Sequence, residues 1–117
     1  MLIVPSLWQE AWGLVATEAQ LRGIPVIASD TGGLAEAKRY VGPLIPVNKI
    51  DGTKRNADGS YIVPPQDVKP WIRELDQLLT DSDRYEARSR MAYYTAQQWV
   101  RNFDVRGMEK YLLSLKK

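Results

Sequence analysis

Two short apolar runs, Leu2-Ile3-Val4 and Val26-Ile27-Ala28, bracket a segment that carries helical signals. Each run is too short for a buried helix and reads as a strand. Between them the spacing predicts a helix from about Gly13 to Leu21 or Arg22, with Gly23 as its C′ residue and Pro25 barring continuation. Asp30-Thr31-Gly32-Gly33 then reads as a turn, followed by a short helix from Leu34 to about Arg39. Strand, helix, strand and helix in some forty residues point to a parallel sheet with right-handed crossovers. The fold class expected is α/β, with a parallel sheet and flanking helices.

Leu44-Ile45 and Tyr61-Ile62-Val63 are read as further strands of that sheet. The polar stretch from Asn48 to Gly59 between them is a solvated surface loop, with a hairpin tip at Asp58-Gly59. The rest is helical. A helix starts at Asp67, with Pro70 in its first turn and Val68, Trp71, Ile72, Leu75, Leu78 and Leu79 as an apolar stripe. Asp83-Arg84-Tyr85-Glu86 fits a capping box for a helix running towards Trp99. A last helix begins near Asp104, with Val105, Met108, Tyr111, Leu112 and Leu115 on one face. The helices from Asp67 and Asp83 are expected to cover one side of the sheet, with Trp71 and Trp99 as packing residues. Residues 1–117 read as one domain, an α/β part over 1–66 and a helical part over 67–117.

What the chain lacks narrows its chemistry. Its 117 residues include no cysteine and no histidine. That excludes a disulfide framework, a thiolate or imidazole metal site, and Ser-His-Asp catalysis. Any metal would have to be a hard ion held by oxygen ligands. The balance of 16 basic and 14 acidic residues, net +2, argues against a nucleic-acid partner. No apolar run approaches the length of a membrane span, and the opening run lacks the basic flank of a signal peptide. A cytoplasmic location is expected, in a longer parent at the cytoplasmic face of a membrane.

The informative segment is Pro5 to Ala19, which joins the carboxyl end of a parallel strand to a helix. In open α/β sheets ligands bind there. The first helical turn offers unpaired backbone N–H groups at Gly13, Leu14 and Val15, at the positive end of the helix dipole. Gly13 would let a phosphate or sugar hydroxyl approach the backbone closely. Glu10 precedes that turn. Glu18, set among Val15, Ala16, Ala19 and Leu21, would cost several kcal/mol if buried without a hydrogen bond or ligand. The two carboxylates are eight residues apart, roughly 12 Å along a helix. Two acceptors with N–H donors between them suit an elongated ligand such as a nucleotide sugar. Plainer readings stand beside these: Glu10 as an exposed loop acid, Glu18 paired with Arg22, and Gly32-Gly33 as a tight turn rather than a ligand-facing loop.

Ser6-Leu7-Trp8-Gln9-Glu10-Ala11-Trp12-Gly13-Leu14-Val15-Ala16-Thr17-Glu18-Ala19 resembles the E-x7-E motif of retaining GT-B glycosyltransferases of group 1. The resemblance continues through Arg22-Gly23-Ile24-Pro25-Val26-Ile27-Ala28-Ser29-Asp30-Thr31-Gly32-Gly33-Leu34-Ala35-Glu36, which is similar to the family's GxPVIASxxGGxxE run. It implies a partial Rossmann-like domain, the C-terminal half of a donor-binding domain. It implies transfer of a sugar from a nucleotide-sugar donor with retention and without a metal or other cofactor. By position, Glu10 would contact the donor sugar at the reacting end. Gly13, Leu14 and Val15 would offer N–H groups to the sugar and diphosphate, and Glu18 would bind the ribose hydroxyls. Trp12 stands where the family usually has phenylalanine, so the sugar pocket would differ in shape. Gly32 and Gly33 would line the donor site.

The same resemblance makes the chain a fragment, lacking the N-terminal acceptor domain and the basic residues that grip the diphosphate. One sheet edge should then be open, and the last helix should pack less completely than the helix from Asp67. Self-association through that edge or helix would cover them. Rival readings are a nucleotide-sugar-binding module without catalysis, and another GT-B-like enzyme such as a phosphorylase or epimerase.

Overall fold

A computed structural model describes residues 1–115. Three parallel strands form one sheet in the order β1 (Leu2–Val4), β2 (Val26–Ser29), β3 (Leu44–Ile45). Leu2 pairs with Val26, Val4 with Ala28, and Ala28 in turn with Leu44. The helices are α1 (Leu14–Leu21), α2 (Leu34–Ala37), α3 (Lys69–Thr80), α4 (Ser82–Arg101) and α5 (Val105–Ser114). This is the expected α/β fold with a parallel sheet and flanking helices. Among the described residues β1 and β3 each have one strand neighbour, so the β1 edge is open.

All four residues of β2 are buried, as a strand covered on both faces must be. Val26 and Ala28 face a core built with Val4, Ala16, Ala19, Leu34 and Ala37. Ile27 faces the other way, onto Ile45 and Leu78, with Trp71 and Leu75 beside them. Burying a side chain such as Ile27 contributes about 1.5–3 kcal/mol. α1 ends as read: Gly23 N donates to Gln20 O at 2.9 Å and Ile24 N to Ala19 O at 3.0 Å, the paired bonds of a Schellman motif.

Four expectations need correction. Tyr61–Val63 is not a strand of the sheet. These residues are exposed, and Tyr61 makes an isolated antiparallel bridge to Arg55 across the hairpin that ends at Asp58-Gly59. The prolines Pro64 and Pro65 follow at once and cannot donate to a ladder. α3 starts at Lys69, because the Asp67 carboxylate accepts from Lys69 N at 3.0 Å in a turn ahead of the helix. α4 is capped by Asp81, whose carboxylate accepts from Arg84 N at 2.9 Å, and Asp83 lies in its first turn. Finally, α3 covers the sheet but α4 packs chiefly on α3 and α1. Before its midpoint Ser89 donates to Gly23 O at 2.6 Å, and near its end Trp99 stacks on Trp12. The part of α4 between them therefore runs antiparallel to α1.

A polar cluster sits where α2 meets α3 and α4. Lys38 is fully buried and donates from Nζ to Pro43 O at 2.6 Å. Arg88 of α4 pairs with Glu74 of α3 at 2.8 Å, both side chains largely covered. Burial, helped by the Arg88 charge and opposed by Glu74, pushes the Lys38 ammonium down to about 8.

α5 buries no residue, whereas α3 buries Glu74 and Leu78. Met108, Tyr111, Leu112 and Leu115 are all more than half exposed. Amide exchange across α5 should therefore be far faster than in β2, and equal protection in a monomer would contradict this packing. A second expectation concerns Lys38. Its folded pKa of about 8 lies below the ordinary 10.5, so between these values the unfolded chain holds a proton that the folded chain has lost. The contribution of Lys38 to stability then rises with pH across that window. Urea denaturation of wild type and Lys38→Met should show the difference shifting in favour of wild type from about pH 8 to about pH 10. A pH-independent difference would contradict it.

Candidate functional site

The loops leaving β1, β2 and β3 all emerge at the carboxyl edge of the sheet, as parallel strands require. The β1 loop, Pro5 to Gly13, carries Glu10. Its carboxylate accepts a hydrogen bond from the Ser6 hydroxyl. Its backbone carbonyl accepts from Gly33 N at 2.8 Å, so the loops after β1 and β2 touch main chain to main chain. A Cβ on Gly32 would overlap the backbone of Glu10, and one on Gly33 the carbonyl of Ala11. The Gly32-Gly33 pair thus has a packing role: it lets the Glu10 segment lie flat on the turn. Ser29 at the end of β2 adds a second tie, its hydroxyl lying 2.6 Å from Ser6 O and 3.1 Å from Val4 O.

Gly13 is the N-cap of α1 at φ 87°, in the left-handed region. A Cβ there would overlap Leu34, so its bare face is turned to the core. Ala16 N donates to Gly13 O at 3.0 Å, the first bond of the helix. Among the described residues the N–H groups of Gly13, Leu14 and Val15 have no acceptor in the protein. Leu14 and Val15 are exposed, so this helix end stands open to a ligand.

Glu18 is exposed, which removes the burial cost expected of it from the apolar residues around it. Those neighbours, Ala16, Thr17, Ala19 and Gln20, take the buried face, while Glu18 shares the outer one with Val15. The pairing with Arg22 does not form either, because Arg22 Nη1 donates to the backbone carbonyl of Glu18 at 3.0 Å. The carboxylate borders a hollow of about 290 Å³ beside the open β1 edge, with Val15, Ala19, Arg22 and Ile24. Trp12 is partly buried against the α1–α2 core, and its indole Nε1 donates to Thr17 Oγ1 at 3.1 Å.

Residues unremarked in the sequence complete the picture. Ser6 and Ser29 hold Glu10 and its loop, and a hydroxyl just past each strand end is the signal that could have found them. The loop after β3 folds back over this edge. Ile50 N donates to Leu7 O at 3.0 Å, Tyr61 meets Trp8 edge to face with centroids 5.0 Å apart, and Arg55 lies over Tyr61. A separate apolar groove of about 370 Å³, lined by Ile3, Leu7, Val68, Trp71 and Ile72 among others, lies beside α3. It contains no titratable side chain and is not the chemical site. No cluster of acidic side chains that could hold a metal ion forms among the described residues, and none of their helices is long and apolar enough to cross a membrane.

Residues 1–98 match the family described as glycosyl transferases group 1. Among curated proteins, the D-inositol 3-phosphate glycosyltransferase of Corynebacterium aurimucosum is 34% identical over 99 residues, 85% of this chain and 20% of that protein. The protein of the same name from Salinispora tropica is 35% identical over 104 residues, 89% of this chain and 17% of that one. That from Nocardia farcinica is 37% identical over 84 residues, covering 72% and 15%. The chain thus spans a fifth or less of the length of these relatives. No solved structure matches it. With an α/β fold, a parallel sheet and a family match over most of its length, the chain belongs to the glycosyl transferases of group 1.

Proposed function

We propose that this chain is the donor-binding part of a longer, retaining glycosyltransferase that moves a hexosyl group from a nucleotide sugar to an acceptor. The observation that carries the reading is the open N-terminus of α1, with three unpaired N–H groups between Glu10 and Glu18. Glycosyl transfer passes through an oxocarbenium-like state, positive on the sugar and negative on the departing diphosphate. The N–H groups of Gly13, Leu14 and Val15, with the α1 dipole behind them, would stabilise that leaving charge. Glu10, held by Ser6 and by the Gly32-Gly33 turn, would accept hydrogen bonds from sugar hydroxyls and keep the reacting carbon in register. Glu18, exposed one to two turns further on, would bind the ribose. No metal or cofactor enters this scheme, and the donor is a substrate.

Gripping the diphosphate and binding the acceptor are assigned to the rest of the longer protein, which would work at the cytoplasmic face of the membrane or in the cytoplasm. The exposed face of α5 and the open β1 edge would contact that remainder, or a second copy in its absence. The alternative is a nucleotide-sugar-binding module without catalysis, a role the isolated chain would also fit.

The two glutamates should separate kinetically in the complete enzyme, assayed with several nucleotide sugars and with D-inositol 3-phosphate, the acceptor in the relatives' name. Glu10→Gln should lower kcat strongly, while Glu18→Gln should mainly raise KM for the donor. A kcat/KM for Glu10→Gln within about twofold of wild type would overturn the assignment. The 117-residue chain alone should bind donor weakly and turn over none, and sugar transfer by it would overturn the fragment reading.

A further inference from the structure

We infer that Trp99, on α4 and remote in sequence from the β1 loop, is a positioning residue for the Glu10–Gly13 segment and acts through Trp12. The basis is a closed ring of contacts. Trp12 Nε1 donates to Thr17 Oγ1 at 3.1 Å, and the Thr17 hydroxyl donates onward to Ala37 O at 3.1 Å. The same carbonyl accepts from Arg39 Nη1 at 2.6 Å. The Arg39 guanidinium lies over the Trp99 ring, 4.4 Å from its centroid. Trp99 stacks on Trp12, with centroids 6.2 Å apart and planes at 28°. The ring starts and ends on Trp12 and takes in the β1 loop, α1, α2 and α4.

The arrangement carries a cost that a casual surface contact would not sustain. Arg39 sits at φ 50°, in the left-handed region that side chains avoid. Its Nε and Nη2 are buried and have no acceptor. The face of the Trp99 ring is the compensation available to that guanidinium. Strained residues with orphan donors persist where their surroundings over-determine them, and here the surroundings are the other members of the ring.

Trp12 is where this cost reaches the site. On one side of it the Glu10 carbonyl accepts from Gly33 N–H, and on the other the bare face of Gly13 lies against Leu34. Between those anchors the indole is held by Thr17 at its nitrogen and by Trp99 at its face. Removing Trp99 would uncover the ring and free it to change rotamer, loosening the segment that carries Glu10 and leads into the three N–H groups. That this segment binds a donor rests on the function proposed above, but its rigidity does not.

The test is amide exchange and indole N–H spectroscopy on the whole 117-residue chain. Trp99→Ala should accelerate exchange at Gly33 N–H by about tenfold more than in β2, and should shift the Trp12 indole N–H resonance. Trp99→Phe, which keeps an aromatic face, should restore both. Equal acceleration at Gly33 and in β2 would make Trp99 a contributor to global stability alone and overturn the inference, as would an unmoved indole. Should Trp99→Ala fail to fold, Thr17→Val breaks the same ring at its hydrogen bonds. It should accelerate Gly33 in the same selective way, and no such effect would overturn the inference. In the complete enzyme, Trp99→Ala should lower kcat by a larger factor than it raises donor KM. A wild-type enzyme that transfers no sugar would contradict the proposed function, while the exchange data would still decide the role of Trp99.

Discussion

The main chain of Glu10 and Ala11 lies directly on the main chain of Gly32 and Gly33, with Gly33 N–H bonded to Glu10 O at 2.8 Å. The contact ties together the loops after two adjacent parallel strands, and nearly everything at the carboxyl edge depends on it. One such hydrogen bond contributes about 1 kcal/mol net. Its larger effect is geometric, because any side chain at Gly32 would force the two loops apart. Ser29 adds a second tie from β2 to the β1 loop through the carbonyls of Val4 and Ser6. The position of Glu10 therefore follows from the β1–β2 register, and through Gly33 it is also coupled to the start of α2.

α2 has four residues, too few to be stable alone, so its place must come from packing. Apolar contacts account for part of this, through Leu34 and Ala37. The rest is polar and buried. Gln20 of α1 donates to Lys38 O at 2.7 Å, and Lys38 Nζ reaches the carbonyls of Gly42 and Pro43. The Glu74–Arg88 pair stands nearby, joining α3 to α4. Desolvation offsets much of what buried charges gain from one another, so this cluster is a weak source of stability. What it supplies is definition: Lys38 is tied to α1 and to the Gly42-Pro43 loop, and Glu74–Arg88 ties α3 to α4.

The elements that rest on short-range patterns were legible in the sequence. β1, β2, β3 and α1 lie where the apolar runs, Gly23 and Pro25 put them. The capping-box pattern puts the cap of α4 at Asp83, whereas the carboxylate that finds an N–H group is that of Asp81, two residues earlier. Tyr61–Val63 has the β-branched and aromatic content of a strand, but the hairpin and the prolines after it keep it from the sheet. Glu10, Gly13 and Glu18 were picked out by their place between a parallel strand and a helix as well as by a family pattern. The pattern did not reveal that Gly13 turns its bare face to Leu34, or that Gly32 and Gly33 exist for a backbone contact. The contacts of Trp99 with Trp12 and Arg39, and of Gln20 with Lys38, were invisible, because those partners are distant in sequence and a single chain carries no record of the pairing.

The open end of α1 costs the folded chain little. Unpaired N–H groups are costly when buried, yet Leu14 and Val15 are exposed and water can satisfy the donors beside them. Glu18 is solvated in the same way, so neither end of the site strains the folded chain. The balance changes once anything covers this edge and excludes water. Donors covered in this way need an acceptor, and an anion suits unpaired N–H groups at the positive end of a helix dipole better than a neutral group does. The attraction also strengthens as the local dielectric falls. In the proposed function, a surface that is neutral towards its own fold in water would become selective for negative charge when covered, with Glu10 and Gly13 held in place beforehand.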